Sequence, residues 1–389
     1  MKYNSNFDAL ENSYVFTRIN ESVRLKRAEG GEVIDLGIGD VKLPLFHCAV
    51  TAMKLAAEEL SSEKTFRGYM PSEGLLSLRE KIAKNYNNRA IDLLIDEIFV
   101  TDGAKSDLGN LLELFGGGAE VLIPQPCYPA YAEANILYGN KVTFLSTSAA
   151  DDFIPYPPYG EKFDVIFLCS PNNPTGTVFD RETLKAWIDY ALSTDAVIIF
   201  DGAYSIFTEN GYPKSVYEIA GAKNCAIEVR SFSKSFGFTG IRCGYTVIPK
   251  TLGKYNALYK RRLGARFNGV SYITQRGAET FFSAEGGIEA QKRAAYYIDS
   301  AEILRISLKK VGIYSVSASS SPYVFAKCLK GGSSAEFCEK LLDKTGIAAT
   351  PGSGFGKCGE GYFRLSAFRN RAEILKAADK LASIRFDFF

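Results

Sequence analysis

One lysine of this sequence lies among residues that could hold a phosphate group. Residues 231–245 read SFSKSFGFTGIRCGY, in which Lys234 stands close behind Ser231 and Ser233, and Arg242 comes eight positions later. A lysine amine can form a Schiff base with an aldehyde, and hydroxyl and guanidinium groups can bind a phosphate. Most lysines in polar loops are only solvated, so the segment predicts chemistry only if other residues complete a site.

Further polar residues follow other apolar runs of the sequence. Asp201 directly follows AVIIF, Tyr204 lies three positions on, and Asn173 lies in the turn SPNNPTGT. Tyr128 follows the run EVLIP, and its ring could stack on a flat molecule. Each residue alone has an ordinary explanation, since Asp is a common helix cap and NPTG makes a good turn. Only as a set do they indicate one chemistry.

Pyridoxal phosphate has four requirements that this set would meet. Lys234 would form the Schiff base with its aldehyde, and Asp201 would keep its ring nitrogen protonated so that the ring withdraws electrons. Asn173 and Tyr204 would form hydrogen bonds with its phenolic oxygen. The serines and the arginine of residues 231–245 would bind its phosphate. The sequence therefore predicts a pyridoxal-phosphate site.

A largely parallel sheet is expected to bring these residues together. Apolar runs alternate with helical patterns, which indicates an open α/β sheet covered by helices on both faces. Ligands of such sheets bind at the carboxyl ends of the strands, where the polar residues lie. Helices are expected at 106–115 and 181–192, and TDGAKSD (101–107) opens the first, where free N–H groups suit a phosphate. The predicted strands are 97–100, 120–124, 141–145, 164–170, 196–201, 226–232 and 244–249.

The sequence after residue 270 predicts a second, smaller α+β unit. Residues 274–311 read as a long helix with a break at Gly286–Gly287. Strands are then expected at 314–319, 323–329 and 361–368, and helices at 333–346 and 370–384. The predicted division is an N-terminal arm that joins the small domain, the large cofactor-binding domain and the small domain, at residues 1–45, 46–285 and 286–389.

Composition excludes several classes of function. The 389 residues carry a formal net charge of +2, which gives no electrostatic case for binding nucleic acid or acidic membranes. The single histidine, His47, argues against a histidine triad or a multi-histidine metal site, and is expected in a loop or at a helix start. None of the eight cysteines forms a CxxC pair, so no metal is expected, and their scatter suits reduced thiols in a cytoplasmic protein. No membrane span is expected either, because no apolar run reaches about 18 residues.

The sequence resembles the fold type I pyridoxal-phosphate aminotransferases of class I/II. The resemblance extends over nearly the whole chain, and within the family it is strongest to the aminotransferases of LL-diaminopimelate. It implies a large domain with a mostly parallel seven-stranded sheet flanked by helices, and a smaller α+β domain. The stretches that carry it are LGIGDVKLPL (36–45), VTDGAKSDL (100–108), PCYPAY (126–131), CSPNNPTGTV (169–178), SFSKSFGFTGIRCGYTVIP (231–249), RFNGVS (266–271), TPGSGFG (350–356) and GYFRLSAF (361–368).

The resemblance implies a role for each matching residue. Lys234 would be the catalytic residue, which carries the cofactor and then acts as the general base. Arg364 would bind the α-carboxylate of the substrate, and Tyr69 and Asn268 would reach across a homodimer interface into the neighbouring site. The expected cofactor-binding residues are Tyr69, Ala104, Lys105, Tyr128, Asn173, Asp201, Tyr204, Ser231, Ser233, Arg242 and Asn268. The expected substrate-binding residues are Tyr14, Gly39, Lys105, Tyr128, Asn173, Asn268 and Arg364.

The implied reaction transfers an amino group between LL-2,6-diaminopimelate (tetrahydrodipicolinate) and 2-oxoglutarate or glutamate, in lysine biosynthesis. Some features depart from the family pattern: residues 68–71 read GYMP where GYG is usual, and Tyr245 stands where tryptophan is frequent. Some relatives carry an acidic residue just before Gly68, and here residues 63–67 read EKTFR. An aminotransferase for a different amino acid, or a non-catalytic homologue, therefore stays open.

A dinucleotide-binding oxidoreductase is an alternative from another class of enzyme. GFGKCG (354–359) matches the pattern GxGxxG. In a dinucleotide site the glycines follow a strand and open a helix, whereas here they precede a predicted strand. The sequence therefore argues against a dinucleotide site.

Overall fold

The computed structural model describes residues 1–10, 14–316, 319–329 and 332–384. The strands are β1 (Ile34–Asp35), β2 (Ile98–Thr101), β3 (Glu120–Gln125), β4 (Lys141–Ser146), β5 (Val165–Cys169), β6 (Val197–Asp201), β7 (Ala226–Ser231), β8 (Gly244–Val247), β9 (Tyr323–Lys327), β10 (Ile347–Ala348), β11 (Thr350–Pro351) and β12 (Tyr362–Ser366). The helices are α1 (Val15–Ala28), α2 (His47–Glu59), α3 (Leu76–Asn87), α4 (Ala104–Asn110), α5 (Ala130–Tyr138), α6 (Arg181–Thr194), α7 (Phe232–Ser235), α8 (Tyr255–Arg266), α9 (Tyr272–Glu279), α10 (Ala284–Lys310), α11 (Ser334–Thr345) and α12 (Arg371–Ala382).

The large sheet has seven strands in the order β2-β8-β7-β6-β5-β3-β4. All neighbouring strands are parallel except β8, which is antiparallel to both β2 and β7. The seven strands predicted from the sequence are these seven. The predicted mostly parallel sheet is therefore confirmed.

Both faces of this sheet are buried at its central strands, which explains why β5 and β6 read as apolar runs. In β5, Ile166 and Leu168 belong to one hydrophobic cluster, while Val165 and Phe167 belong to another. Successive side chains of a strand point to opposite faces, so each cluster lies on its own side of the sheet. The helices packed on the two faces hold the strands in place, and with them the carboxyl ends that carry the polar residues.

Helix α6 shows how local sequence sets these covering helices. Asp180 caps its N-terminus, because its carboxylate accepts the N–H of Thr183 at 2.7 Å. Leu184, Trp187 and Ile188 are buried at helical spacing and pack in the first cluster. The predicted helix at 181–192 is confirmed. It leads directly into β6, whose last residue is Asp201.

The predicted break at Gly286–Gly287 is wrong. Helix α9 ends at Glu279, and α10 begins at Ala284 with both glycines inside its first turns. Ser283 caps α10 by accepting the N–H of Gly286 at 3.0 Å. A Cβ on Gly286 would collide with the carbonyl of Thr280, so this glycine permits a close approach rather than ending the helix.

A smaller unit is built from a three-stranded antiparallel sheet and the last helices. The strand order is β11-β12-β9, and β1 pairs with β10 in parallel. Its hydrophobic cluster combines Ile34 and Leu36 of the N-terminal segment with side chains of α10, α11 and α12. Of the predicted strand at 314–319, Ser315 forms a single bridge with Ala326, and residues 317 and 318 lie outside the described residues. The domain boundaries at 45 and 285 stay a prediction.

Within the described ranges, no helix is long and apolar enough to cross a membrane. The same residues contain no group of histidine, cysteine and carboxylate side chains that could hold a metal ion. His47 is the first residue of α2, where the sequence places a loop or a helix start. Residues 354–359 lie within and between two short 3₁₀ helices, Gly352–Phe355 and Lys357–Gly359, which precede β12 and open no α-helix.

Candidate active site

A cavity of about 480 Å³ lies at the carboxyl ends of β5, β6 and β7, a size typical of sites for small molecules. Every predicted site residue except Tyr69 and Asn268 lines it. These residues are Tyr14, Gly39, Ala104, Lys105, Tyr128, Asn173, Asp201, Tyr204, Ser231, Ser233, Lys234, Arg242 and Arg364. The structure thus gathers in one place side chains that are up to 350 positions apart in the chain, between Tyr14 and Arg364.

Lys234 lies on the short helix α7, directly after β7. Its Nζ donates to the carbonyl oxygen of Gly39 and lies 5.2 Å from the ring centroid of Phe368. Burial lowers the pKa of Lys234 to about 8; Asp40 acts against this shift and Arg364 adds to it. A lowered pKa leaves more of the amine neutral near pH 7, and only the neutral amine is a nucleophile or a base.

Ser231, Ser233 and Arg242 form a cluster of polar groups in the wall of the cavity. The Ser231 hydroxyl accepts the N–H of Ser233 at 3.1 Å, and Nη1 of Arg242 donates to the Ser233 hydroxyl at 3.1 Å. Helix α4 begins beside them at Ala104. Gly103 has a φ of +120°, which residues with a side chain rarely adopt, and a Cβ at this position would displace Nη2 of Arg242. Hydroxyls, a guanidinium and a helix N-terminus together suit a phosphate.

Asp201 is the last residue of β6 and is only 4% exposed. Its carboxylate accepts the hydroxyl of Tyr131 at 2.6 Å and the N–H of Ala203 at 2.9 Å. Burial raises the pKa of Asp201, because the charged form loses its hydration. A cationic group in the cavity, such as a protonated ring nitrogen, would offset that loss.

Arg364 lies in the middle of β12 and is 1% exposed. Nη1 donates to Oδ1 of Asn173 at 2.7 Å, and Nη2 donates to the carbonyl of Gly37 at 2.7 Å. Among the described residues, Arg364 pairs with no carboxylate, and its Nε has no hydrogen-bond partner. A buried guanidinium without a counter-ion is suited to binding a carboxylate ligand.

The contact with Arg364 also orients Asn173. Because Oδ1 of Asn173 accepts from the guanidinium, its amide NH2 group is left as the donor on the cavity side. A donor is what a phenolic oxygen of a cofactor requires. Tyr204 presents a hydroxyl to the same cavity.

The N-terminal segment forms another wall of the cavity. Nζ of Lys105 lies 4.4 Å from the ring centroid of Tyr14, and burial lowers the pKa of Lys105. Burial raises the pKa of Tyr128 to about 12, so its hydroxyl stays protonated at neutral pH. Phe16, in the same wall, packs against Tyr128 with ring centroids 6.4 Å apart.

Tyr69 and Asn268 lie outside the cavity, on an exposed surface. The Tyr69 side chain is 88% exposed, and Asn268 is exposed as well. The two segments are neighbours, since a Cβ on Gly269 would lie 2.7 Å from the carbonyl oxygen of Pro71. Within one chain these two residues do not join the others.

Sequence reasoning missed three aromatic residues that line the cavity: Phe16, Tyr131 and Tyr323. Tyr131 had a signal, because it lies in PCYPAY three positions after Tyr128. Phe16 and Tyr323 had none, since their proximity to the site arises only from how α1 and β9 pack on the large sheet.

Comparison with known proteins gives the family. The model of the family described as aminotransferase class I and II matches residues 31–381. The chain belongs to the class I and II aminotransferases. An LL-diaminopimelate aminotransferase of Prochlorococcus marinus (strain MIT 9515) is 40% identical over 408 residues, covering 99% of this chain and 100% of that protein.

Solved structures of other aminotransferases share the architecture. The L,L-diaminopimelate aminotransferase from Chlamydomonas reinhardtii has a TM-score of 0.92 and 32% identity, and the match covers 98% of each chain. The aspartate aminotransferase from Thermus thermophilus with maleate has a TM-score of 0.88 over 98% of this chain and 99% of its own, at 23% identity, a likeness of fold alone. The expected fold class, a large α/β domain with a smaller α+β unit, is confirmed, and this aminotransferase is a transaminase, as predicted.

Proposed function

We propose that this aminotransferase depends on pyridoxal phosphate and transfers an amino group between LL-2,6-diaminopimelate (tetrahydrodipicolinate) and 2-oxoglutarate or glutamate. The observation that carries the proposal is one cavity that joins Lys234, Asp201 and Arg364. The names of the relatives from Prochlorococcus marinus and Chlamydomonas reinhardtii support the choice of substrate. The role in lysine biosynthesis rests on that choice.

The residues of the cavity fit the cofactor. The Asp201 carboxylate would pair with the ring nitrogen, and the Tyr128 ring would stack on the cofactor ring. Asn173 and Tyr204 would donate to the phenolic oxygen. The phosphate would be held by the start of α4, the end of β7 with α7, and the turn before β8, through Ala104, Lys105, Ser231, Ser233 and Arg242.

When bound, pyridoxal phosphate supplies an aldehyde carbon for the amino group and a ring that withdraws electrons. Lys234 would hold the cofactor by its Nζ and, once displaced by the substrate amine, would remove the proton from the substrate Cα. Its pKa of about 8 supports this role, because a base works best when its pKa lies near the working pH. His47, the single histidine of the chain, does not line the cavity, so the proposed mechanism uses Lys234 as the base.

Arg364 would hold the α-carboxylate of each substrate in turn. Contacts with Asn173, Gly37 and Thr350 use three of the five guanidinium N–H donors, so Nε and one further N–H remain for the two oxygens of a ligand carboxylate. Tyr14, Gly39 and Lys105 would contact the remainder of the substrate. Residues 63–71, which depart from the family pattern, lie outside the cavity of a single chain.

The enzyme is proposed to be a cytoplasmic homodimer with shared active sites. Tyr69 and Asn268 would enter the partner's site from the surface patch that also carries Phe66, which is 64% exposed. Exposed aromatic side chains cost free energy in a monomer and are common at the core of interfaces. This arrangement would explain why the two residues lie outside their own cavity.

The proposal is tested with a panel of amino donors. Purified enzyme is incubated with 2-oxoglutarate and either LL-diaminopimelate, aspartate or tyrosine, and glutamate is measured. We expect glutamate only, or by far fastest, with LL-diaminopimelate, and none with Lys234→Ala. Glutamate from the other donors but not from LL-diaminopimelate would contradict the substrate and support an aminotransferase for a different amino acid.

A further inference from the structure

Tyr323, the first residue of β9, makes three contacts inside the cavity and is 2% exposed. Its hydroxyl oxygen lies 2.9 Å from that of Tyr204, and the guanidinium carbon of Arg364 lies 4.3 Å from its ring centroid. A Cβ on Gly39 would collide with the same hydroxyl, so the hydroxyl lies against the backbone that accepts from Lys234. One side chain thus contacts a proposed cofactor-binding residue, the proposed carboxylate-binding arginine and the backbone that accepts from Lys234.

The direction of the hydrogen bond between the two phenols matters. In the part of the chain that the structure describes, Tyr204 is the one hydrogen-bond partner of the Tyr323 hydroxyl. If Tyr323 donates, the proton of Tyr204 is left free for an acceptor in the cavity. If Tyr204 donates, its proton is already used.

The charge of Arg364 favours Tyr323 as the donor. Burial raises the pKa of both tyrosines. The guanidinium of Arg364 opposes this rise at both, but at Tyr323, whose ring it covers, it is the largest influence after burial. In a pair of phenols, the more acidic one is the better donor. The ring in turn is attracted to the guanidinium that covers its face.

The same ring also restrains Arg364. The guanidinium is held within its plane by Asn173 and Gly37, while aromatic rings flank its faces. Tyr323 provides the nearest of these rings, and that of Phe355 is 4.9 Å away. Removal of the Tyr323 ring would therefore leave the guanidinium freer to tilt.

We propose that Tyr323 is a positioning residue with two parts. Its hydroxyl donates to Tyr204, which directs the Tyr204 proton into the cavity, and its ring holds the guanidinium of Arg364 in the orientation that binds a carboxylate. The inference rests on the proposed function, since the acceptor it gives to Tyr204 is the phenolic oxygen of pyridoxal phosphate.

The hydroxyl is tested by the visible absorption of the cofactor-loaded enzyme as a function of pH. A donor to the phenolic oxygen stabilises its deprotonated form, so loss of the donor raises the pH midpoint of the spectral change. We expect Tyr204→Phe to raise the midpoint, and Tyr323→Phe to raise it by a smaller amount, because hydrogen bonds in a chain strengthen one another. A lower midpoint in Tyr323→Phe would show the opposite bond direction, and an unchanged one would show no coupling; either result overturns this part.

Tyr190→Phe is the matched control for that measurement. It removes a hydroxyl that also makes one hydrogen bond, 2.9 Å to the carbonyl of Glu161, on helix α6 and away from the cavity. Its midpoint should equal that of the unaltered enzyme. Thermal unfolding of both variants checks that each is folded.

The ring is tested by comparing Tyr323→Leu with Tyr323→Phe. Phe keeps the aromatic face under Arg364, whereas Leu does not. We expect KM for 2-oxoglutarate to be about 2- to 30-fold higher in Tyr323→Leu than in Tyr323→Phe, as loss of a cation–π contact predicts. Equal KM values would overturn this part of the proposal.

The proposed function and the role of Tyr323 would be contradicted by different results. An unaltered protein that takes up no pyridoxal phosphate would contradict the proposed function itself. If the cofactor binds and Tyr204→Phe moves the midpoint while Tyr323→Phe does not, only the role of the Tyr323 hydroxyl is wrong.

Discussion

Two basic side chains, the half-buried Lys234 and the buried Arg364, face one cavity but respond differently to the loss of water. The pKa of a lysine falls when water is removed, and here it falls to about 8. An arginine stays charged, so burial instead leaves Arg364 in need of an anion. At the scale of residues, this difference suits Lys234 to the proposed role of base and Arg364 to the proposed binding of a carboxylate.

The lowered pKa of Lys234 predicts the pH dependence of cofactor uptake. Attack on the aldehyde requires the neutral amine, whose fraction rises with pH through the pKa. The uptake rate of cofactor-free enzyme should therefore rise with pH and reach half its maximum at about 8, instead of near the ordinary value of 10.5. The rate is followed by the growth of visible absorbance. A midpoint near 10.5 would contradict the burial argument.

Arg364→Lys keeps the charge but loses the planar fork that binds two carboxylate oxygens. We expect kcat/KM to fall about 10- to 100-fold, mainly through KM, as the loss of a charge-assisted hydrogen bond predicts. Arg371→Lys serves as the control, because Arg371 also stacks on a tyrosine ring, 4.6 Å from that of Tyr296, and does not line the cavity. Equal effects of the two substitutions would show that Arg364 is not the carboxylate clamp.

At the scale of elements, turns after the strands deliver the polar groups. The turn from β2 into α4 carries Gly103 against Arg242, and the turn after β7 carries Lys234. Arg242 itself has a positive φ of 65°, which few residues other than glycine adopt. The geometry of the residues proposed to bind the phosphate therefore depends on the backbone of these turns as well as on the side chains.

Gly103→Ala tests that dependence, with Gly118→Ala as its control. Both glycines have positive φ, so both substitutions should destabilise the fold by about 1–3 kcal/mol. Only the Cβ at 103 collides with Arg242, since nothing lies within 4 Å of a Cβ at 118. The dissociation constant of pyridoxal phosphate should rise in Gly103→Ala alone. An equal rise in both variants would contradict the role of the close approach.

The elements of the large sheet could be predicted because their signal is local. Strands buried on both faces read as apolar runs, and the polar residue that ends each run stands at the sheet edge. The helix break at Gly286–Gly287 was wrong because the reason for Gly286 is a contact with Thr280, which periodicity does not reveal. Tyr323 was missed for a similar reason, since its partners Tyr204 and Arg364 meet it only in the folded chain.

At the scale of the molecule, the cavity is closed by both structural units. Lys234 and Asp201 come from the large sheet, whereas Arg364 and Tyr323 come from the antiparallel sheet of the smaller unit. The N-terminal segment contributes Tyr14. The cofactor would thus contact mainly the large unit and the substrate would contact both units, which ties the catalytic geometry to their packing.

A mixed-dimer experiment tests whether Tyr69 acts in the partner's site. Tyr69→Ala and Lys234→Ala are each expected to be nearly inactive as pure dimers. In a mixed dimer, one site combines an intact Lys234 with an intact Tyr69 of the other subunit, so part of the activity should return on mixing. A mixture that stays inactive after subunit exchange is verified would place Tyr69 in its own site or in none.

The most direct test of the central claim identifies the lysine that holds the cofactor. Purified enzyme is saturated with pyridoxal phosphate, reduced with borohydride and digested, and the modified peptide is identified by mass spectrometry. The account predicts a yellow protein with a single stable modification on Lys234, lost in Lys234→Ala. Lys105 is the internal control, since it lies in the same cavity with a pKa that is also lowered by burial. A colourless protein without modification, or a modification on Lys105 instead, would contradict the account.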